Sequence, residues 1–444
     1  VNIDSIVLAR MQFAATASFH IIFPCLIIGL SSYLLALEIL WLKTGRRIYR
    51  QQFEFWIRPF AAFFITGVIT GIVLSYQLDT IFGGFYERTV DVLVPIRQLE
   101  FANAVLLEAG CFGIMVWGWR RVGDRLHVIA TSIVTLGVYV SVFCILSRNS
   151  WMQTPAGHVF IDGTLGLDNA LAAVFNPSFP YRFVHMVGAA WLSSAFFIMG
   201  ISSTLLLHRP GHSLARQSLR VAVITAAVLL PLQILTGDLH GLNTRDHQPM
   251  KLAAMEGLWQ TTEGAPLVPL ALPDPVTEQN RYAVEIPRLA SLIITHDLAG
   301  VVLGLNEVPA SDRPNVPIVF ASFRIMVALG MLMLVVAMTG LYLLRRKQLF
   351  ETRWFLRVLC WMTPSGFLAT IAGWCVTEAG RQPWVVYGLV RTTEVVDTVA
   401  RHRVPGMLVL IGISYVVLLV ALTLYLRRVF ASPVRGRRHD AVAF

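Results

Sequence analysis

Apolar residues gather in nine runs, near 14–41, 56–76, 99–119, 127–147, 185–207, 218–236, 318–344, 356–376 and 405–426. Each has about the 20 residues that a helix needs to cross a bilayer. The predicted element is the same each time, a helix whose backbone pairs within itself, because lipid offers no partner to a free N–H or C=O. Most links are short. The exception, residues 237–317, is rich in Pro, Asp, Glu and His and too long for a passive connection. The chain therefore divides into six spans over 1–236, one extramembrane segment over 237–317, and three spans with a basic tail over 318–444. Neither a repeat of about 20–50 residues nor an inverted pair of broken helices is visible.

Basic residues orient the array. Lys43, Arg46, Arg47 and Arg50 follow the first run; Arg120, Arg121 and Arg125 the third; Arg209, Arg216 and Arg220 the fifth. Arg345, Arg346, Lys347, Arg353 and Arg357 follow the seventh, and Arg427, Arg428, Arg435, Arg437 and Arg438 end the chain. These links lie on one side and hold 20 of the 36 basic residues, so that side is predicted to be cytoplasmic. The N-terminus and the long segment then face outward.

Composition agrees. With 56% apolar and 14% charged residues, the 444-residue chain is not a pair of soluble domains. The net charge of +10 is a topology signal and does not call for nucleic acid. Cys25, Cys111, Cys144, Cys360 and Cys375 lie in or beside apolar stretches without a C-x-x-C pair, and read as small buried hydrophobes. The first run is too long for a removable leader and lacks a small-residue cleavage pattern, so it is read as a span.

Ionisable side chains at bilayer depth are costly and mark function. His20, in RMQFAATASFH, and His185, in PYRFVHMVGAAW, stand near predicted outer span ends. Each fits a histidine bonded to a neighbouring helix; together, with no zinc-type cluster, they also fit imidazole ligands of haem. Met326, in FRIMVALG, fits core packing or a thioether ligand opposite His185, and Arg324 calls for an anion such as a haem propionate. Glu378, in GWCVTEAGRQPW, is within ion-pair reach of Arg381 and is equally an oxygen ligand for iron. Glu100 and Glu108 lie about 12 Å and about 80° apart on an ideal helix, one broad face, which fits a proton relay or two locally paired acids. In GDLHGLNTRDHQPMKLAAMEGLW, residues 237–259, Lys251 and Glu256 offer a donor and an acceptor to a quinone ring oxygen, chemistry that an ordinary loop also carries.

The motifs RMQFAATASFH, LEFANAVLLEAG, NSWMQTPAG, FVHMV, HQPMKLAAMEGLW, FRIMVA and GRQPW resemble, in kind and order, subunit I of the cytochrome bd-type quinol oxidases. GDLHGLNT and NPSFPYRFVHM further resemble its cyanide-insensitive branch, with a short quinol loop. The resemblance implies an all-α integral membrane protein, about nine transmembrane helices in a haem-binding bundle, that oxidises quinol at the outer face and reduces dioxygen to water. By motif match, His185 and Met326 hold a low-spin haem b beside Arg324. His20 and Glu378 ligate the other two of three haems, a high-spin haem b and either haem d or a third haem b. Arg10 belongs to the cofactor surroundings, Trp374 and Arg381 lie next to the dioxygen site, Lys251 and Glu256 are quinol-loop residues, and Glu100 and Glu108 lie on the proton route. A second large membrane subunit (subunit II), a small single-span subunit and a bacterial cytoplasmic (inner) membrane location are implied too. The chain departs from the family in LSYQLDTIFGG, with Ser75 where many members carry glutamate and with unusual Leu78, Asp79 and Ile81, which predicts altered packing near the outer haem edges. Two other classes compete: a haem-free multipass transporter whose buried acids bind substrate or coupling ions, and a haem subunit that relays electrons without reducing oxygen.

Overall fold

A computed structural model describes residues 5–161, 164–395 and 404–431. Its helices are α1 (Ser5–Thr44), α2 (Arg47–Ile81), α3 (Gly83–Asn103), α4 (Gly110–Trp117), α5 (Asp124–Gln153), α6 (Ala170–Val174), α7 (Phe179–His208), α8 (Ser213–His247), α9 (Pro249–Glu256), α10 (Leu289–Thr295), α11 (Val316–Arg345), α12 (Arg353–Trp361), α13 (Ser365–Ala379) and α14 (Val404–Ala431). Among the described residues, nine helical stretches are long and apolar enough to cross a membrane. They correspond to the nine predicted runs.

Local chemistry sets several boundaries. The Asn315 side chain accepts from the Ile318 N–H at 3.2 Å and starts α11, and the His212 ring accepts from the Ala215 N–H at 3.2 Å and starts α8. Gly257, with φ of 70°, closes α9 in the left-handed conformation that glycine adopts without strain. Pro364 cannot donate to a helix ladder, and the predicted eighth span accordingly breaks into α12 and α13.

Other boundaries correct the sequence reading. The sixth helix runs on through GDLHGLNTRDH to His247, so the segment predicted to begin at 237 leaves the helix about three turns later. Polar residues do not stop a helix. The first proline after them, Pro249, opens α9. The third span begins at Gly83, well before the predicted 99, and its ladder widens to a π-helical turn over Ala104–Ala109. The ideal rotation between positions 100 and 108 therefore does not hold.

Among the described residues, four two-stranded antiparallel ribbons interrupt the all-helical picture: β1 (His158–Ile161) with β2 (Thr164–Leu167), β3 (Thr262–Glu263) with β6 (Val301–Val302), β4 (Leu267–Asp274) with β5 (Gln279–Ile286), and β7 (Trp384–Val386) with β8 (Val390–Arg391). By the alternation of the spans all four lie at one end of the bundle, the loop end; the Lys/Arg-rich links lie at the other, the basic end. The main core is formed where α1, α2, α5, α7, α8, α11 and α12 meet around Trp56, Phe60, Phe196 and Phe355. Near the loop end, α9 and α10 pack on α11 through Leu252, Ala253, Ile294 and Val319.

Candidate functional site

Most of the predicted site residues gather toward the loop end, where α1, α7 and α11 begin and α5, α8 and α13 finish. The hub is the last turn of α5. Asn149 and Gln153, four residues apart, present their amides to one side of the helix. Asn149 Nδ2 donates to Glu378 Oε1 at 2.8 Å, and Asn149 Oδ1 accepts from the Arg182 guanidinium. Arg381 Nη2 donates to Glu378 Oε2 at 2.5 Å, so the predicted Glu378–Arg381 pair forms although α13 has already ended at Ala379. Gln153 Oε1 and Gln248 Oε1 each accept from Lys251 Nζ at 2.5 Å. The Lys251 stem passes Gly380 so closely that a Cβ there would stand 2.8 Å from Lys251 Cγ. One buried network thus joins the extramembrane segment to the end of α13. Burial, reinforced by the nearby Arg182 and Arg381, drives the Lys251 pKa well below the ordinary lysine value, toward the neutral amine.

His185 lies one turn beyond Arg182 on α7. Gln233 Nε2 of α8 donates to the His185 carbonyl at 2.9 Å and reaches Nδ1 at 3.2 Å, so the Nδ1 side of the ring is taken by α8. The His240 ring stands 5.8 Å away, centroid to centroid. Met326 packs onto α13, its sulfur 3.0 Å from where a Cβ on Gly373 would stand. The next residue, Trp374, lies 6.0 Å beneath the Arg182 guanidinium. The Gly373–Trp374 step of α13 thus meets Met326 of α11 at one residue and Arg182 of α7 at the next. Arg324 is turned toward the extramembrane segment: Nη2 pairs with Glu256 at 2.8 Å, Nε donates to the Val268 carbonyl at 2.8 Å, and the rings of Phe320 and Phe323 flank it.

His20, on α1, bonds through Nδ1 to Thr70 Oγ1 of α2 at 2.9 Å. The Thr70 hydroxyl gives its own proton to the Thr66 carbonyl, 2.9 Å away, so its oxygen accepts from the ring. With the hydroxyl so turned, Nδ1 carries the proton and Nε2 keeps the lone pair, the arrangement of a metal-binding histidine with its second hydrogen bond in place.

The chain as a whole has close counterparts among known proteins. A sequence model of the family described as cytochrome bd terminal oxidase subunit I matches residues 8–434. The chain belongs to that family. It is 31% identical to the cytochrome bd ubiquinol oxidase subunit 1 of Bacillus subtilis (strain 168), over 98% of this chain and 96% of that one. It is also 31% identical to the cytochrome bd-II ubiquinol oxidase subunit 1 of Escherichia coli (strain K12), over 96% of each. The structure of bd oxidase from Geobacillus thermodenitrificans superposes with a TM-score of 0.89 at 29% identity, covering 96% of this chain and 98% of that one. The protein is the catalytic subunit of a terminal respiratory oxidase, an oxidoreductase of the bacterial cytoplasmic membrane. Membership implies haem cofactors, a quinol substrate and a second subunit.

The residues present fit haem. His20 offers a free imidazole nitrogen, Met326 a thioether, and Glu378 a carboxylate whose side chain keeps 34% of its surface accessible inside the bundle. Arg182 and Arg381 are buried, and three of their N–H groups, Arg182 Nε and Arg381 Nε and Nη1, meet no acceptor among the described residues. Propionate carboxylates are such acceptors.

The family's other predicted positions are less gathered. Arg10 is exposed near the start of α1 with no ion pair among the described residues. Glu100 pairs with Arg148, the neighbour of Asn149; the side chain of Glu108 lies outside the described residues. Lys251 and Glu256 sit on the same short helix about 140° apart, each buried and engaged with different partners. Asp79, one of the unusual residues after the second span, forms a bidentate pair with Arg97 at 2.8 Å, an internal compensation on α3. Sequence reasoning passed over Asn149, Gln153, Arg182, Gln233 and Thr70. The amides and the threonine are uncharged, and Arg182 was visible only as part of the His185 motif.

Proposed function

We propose that the chain carries electrons from quinol, oxidised at the loop end, to a dioxygen-reducing site next to His20 and Glu378. The observation behind this reading is the network on α5, where Gln153 holds Lys251 of the quinol loop and Asn149, one turn away, holds Glu378. His185 and Met326 would hold a low-spin haem b, and His20 and Glu378 would hold a high-spin haem b and haem d or a third haem b. When bound, these groups supply one-electron transfer and oxygen activation that protein side chains lack.

The chain's own residues do the rest. Thr70 orients His20, Asn149 and Arg381 orient Glu378, and Arg324 anchors the quinol loop to α11 through Glu256 and the Val268 carbonyl. Lys251 and Glu256, on different sides of α9, are the quinol-loop residues, and Trp374 and Arg381 border the dioxygen site. The basic links face the cytoplasm and the loop end faces outward. Protons for water formation rise from the cytoplasm past Glu108 and Glu100, so charge crosses the membrane because electrons and protons arrive from opposite sides, without pumping. Subunit II and a small single-span subunit complete the assembly.

Pyridine haemochrome analysis of the purified complex is expected to give three haems per chain. His185→Ala and Met326→Leu should each abolish the low-spin reduced-minus-oxidised spectrum. The same spectrum in both variants rejects the ligand assignment, and a haem-free chain rejects the oxidase reading in favour of a transporter.

A further inference from the structure

Arg182 has no role in the scheme above, yet it is buried within the loop-end network. It is 6% exposed, one turn from His185, over the face of Trp374, and bonded to the Asn149 amide that holds Glu378. Arg381, 4% exposed, faces the same carboxylate from the other side. Guanidinium groups stay charged in proteins. Two such cations share one carboxylate, Glu378, which leaves one positive charge in excess before Lys251 is considered. Lys251 donates to two glutamine oxygens, so it brings no acceptor. The excess charge and the three N–H groups that meet no acceptor among the described residues together favour an anion with at least two oxygens beside the start of α7 and the end of α13.

We propose that Arg182 and Arg381 form a carboxylate clamp between the His185/Met326 and Glu378 sites, that it takes a haem propionate, and that Arg182 positions Glu378 through Asn149. The inference rests on the haem reading of the preceding section. A fixed cation beside a haem edge stabilises the reduced state, which carries one less positive charge, so Arg182 raises the midpoint potential of the haem that it holds.

The test uses the complex of the full chain with its second subunit. Haem is labelled with 13C at the propionate carboxyls, and the protein carries Arg182→Lys or Arg182→Gln. Arg182→Lys, which keeps charge but loses the bidentate fork, is expected to shift the labelled carboxylate band in redox-difference infrared spectra. Arg182→Gln is expected to lower a midpoint potential in optical redox titration and to release haem on repeated detergent washing. If Arg182→Gln does not assemble, the infrared comparison of Arg182→Lys with the parent decides alone. An unshifted band in Arg182→Lys overturns the clamp, as do parental potentials and haem content in Arg182→Gln. Raised KM for quinol with parental haem spectra would also overturn it, since the anion would then be a quinol oxygen. A parent complex without haem overturns the underlying reading instead, so the two failures are distinguishable.

Discussion

Among the described residues, two buried ionisable clusters lie in the bundle, one toward each end, and they are built on opposite principles. Toward the basic end, Glu38 of α1 and His127 of α5 meet at 2.5 Å, each side chain 1% exposed. The rings of Phe53 and Trp119 cover the imidazole. One carboxylate and one imidazole answer each other there, with a single oxygen, Glu38 Oε2, left unmatched. At the loop end, Arg182, Arg381 and Lys251 crowd around Glu378 with more donors than acceptors. A closed and balanced pair completes itself. A cluster with unmet donors and surplus charge is completed by something else, and membership of a haem oxidase family supplies the candidate.

Breaking the closed pair should cost stability and leave the chemistry alone. Glu38→Leu strands His127 in an apolar site, a loss of about 3–5 kcal/mol. The apparent melting temperature of the complex should fall while its redox-difference spectra stay parental, and the double variant Glu38→Leu/His127→Phe should recover most of the loss. A changed haem spectrum in the single variant would show that the pair serves the reaction and would erase the contrast. Breaking the open cluster should do the reverse. Asn149→Leu removes the bridge between Glu378 and Arg182, and a lost outer-shell partner of a metal ligand typically costs about 10–100-fold in affinity or activity. Oxygen consumption and high-spin haem content should drop in that range, with a smaller change in melting temperature than for Glu38→Leu. Parental turnover and haem content would remove Asn149 from the site.

The contrast also explains what the chain could disclose before its structure was known. Spans were legible because lipid imposes one rule on every crossing segment, and 14–41 or 127–147 obey it without ambiguity. The rule speaks less clearly where polar residues interrupt the apolar run, and 83–98 and 237–247 are helical all the same. Charge at depth singled out His20, His185, Arg324 and Glu378 because burying them is costly. It could not single out Asn149, Gln153 or Gln233, whose hydrogen-bonded amides cost far less to bury than an ion yet hold Glu378, Arg182, Lys251 and His185. Nor could it foretell that Lys251 and Glu256 face different ways, since that depends on where α5 and α11 stand when α9 docks between them.

Lys251 gives the finest test, because it is the one cation of the open cluster that can shed its charge. Its pKa in the folded protein lies well below the ordinary 10.5, chiefly through burial and then through Arg182 and Arg381. Between the folded and unfolded values the unfolded chain binds the extra proton, so stability rises with pH across that window, and it falls as pH drops toward the folded value and levels off below it. One such group contributes a slope of at most about 1.4 kcal/mol per pH unit. Lys251→Met should therefore flatten the climb in melting temperature from neutral to mildly alkaline pH, and should be the more stable protein at the acidic end, because its side chain has no ammonium to desolvate. Glu38→Leu, far from this network, should keep the parental slope at a lower melting temperature. If Lys251→Met climbs as steeply as the parent, the amine is already matched in its charged form, the loop-end cluster carries a second surplus cation, and the clamp on α7 and α13 needs two carboxylates to balance it.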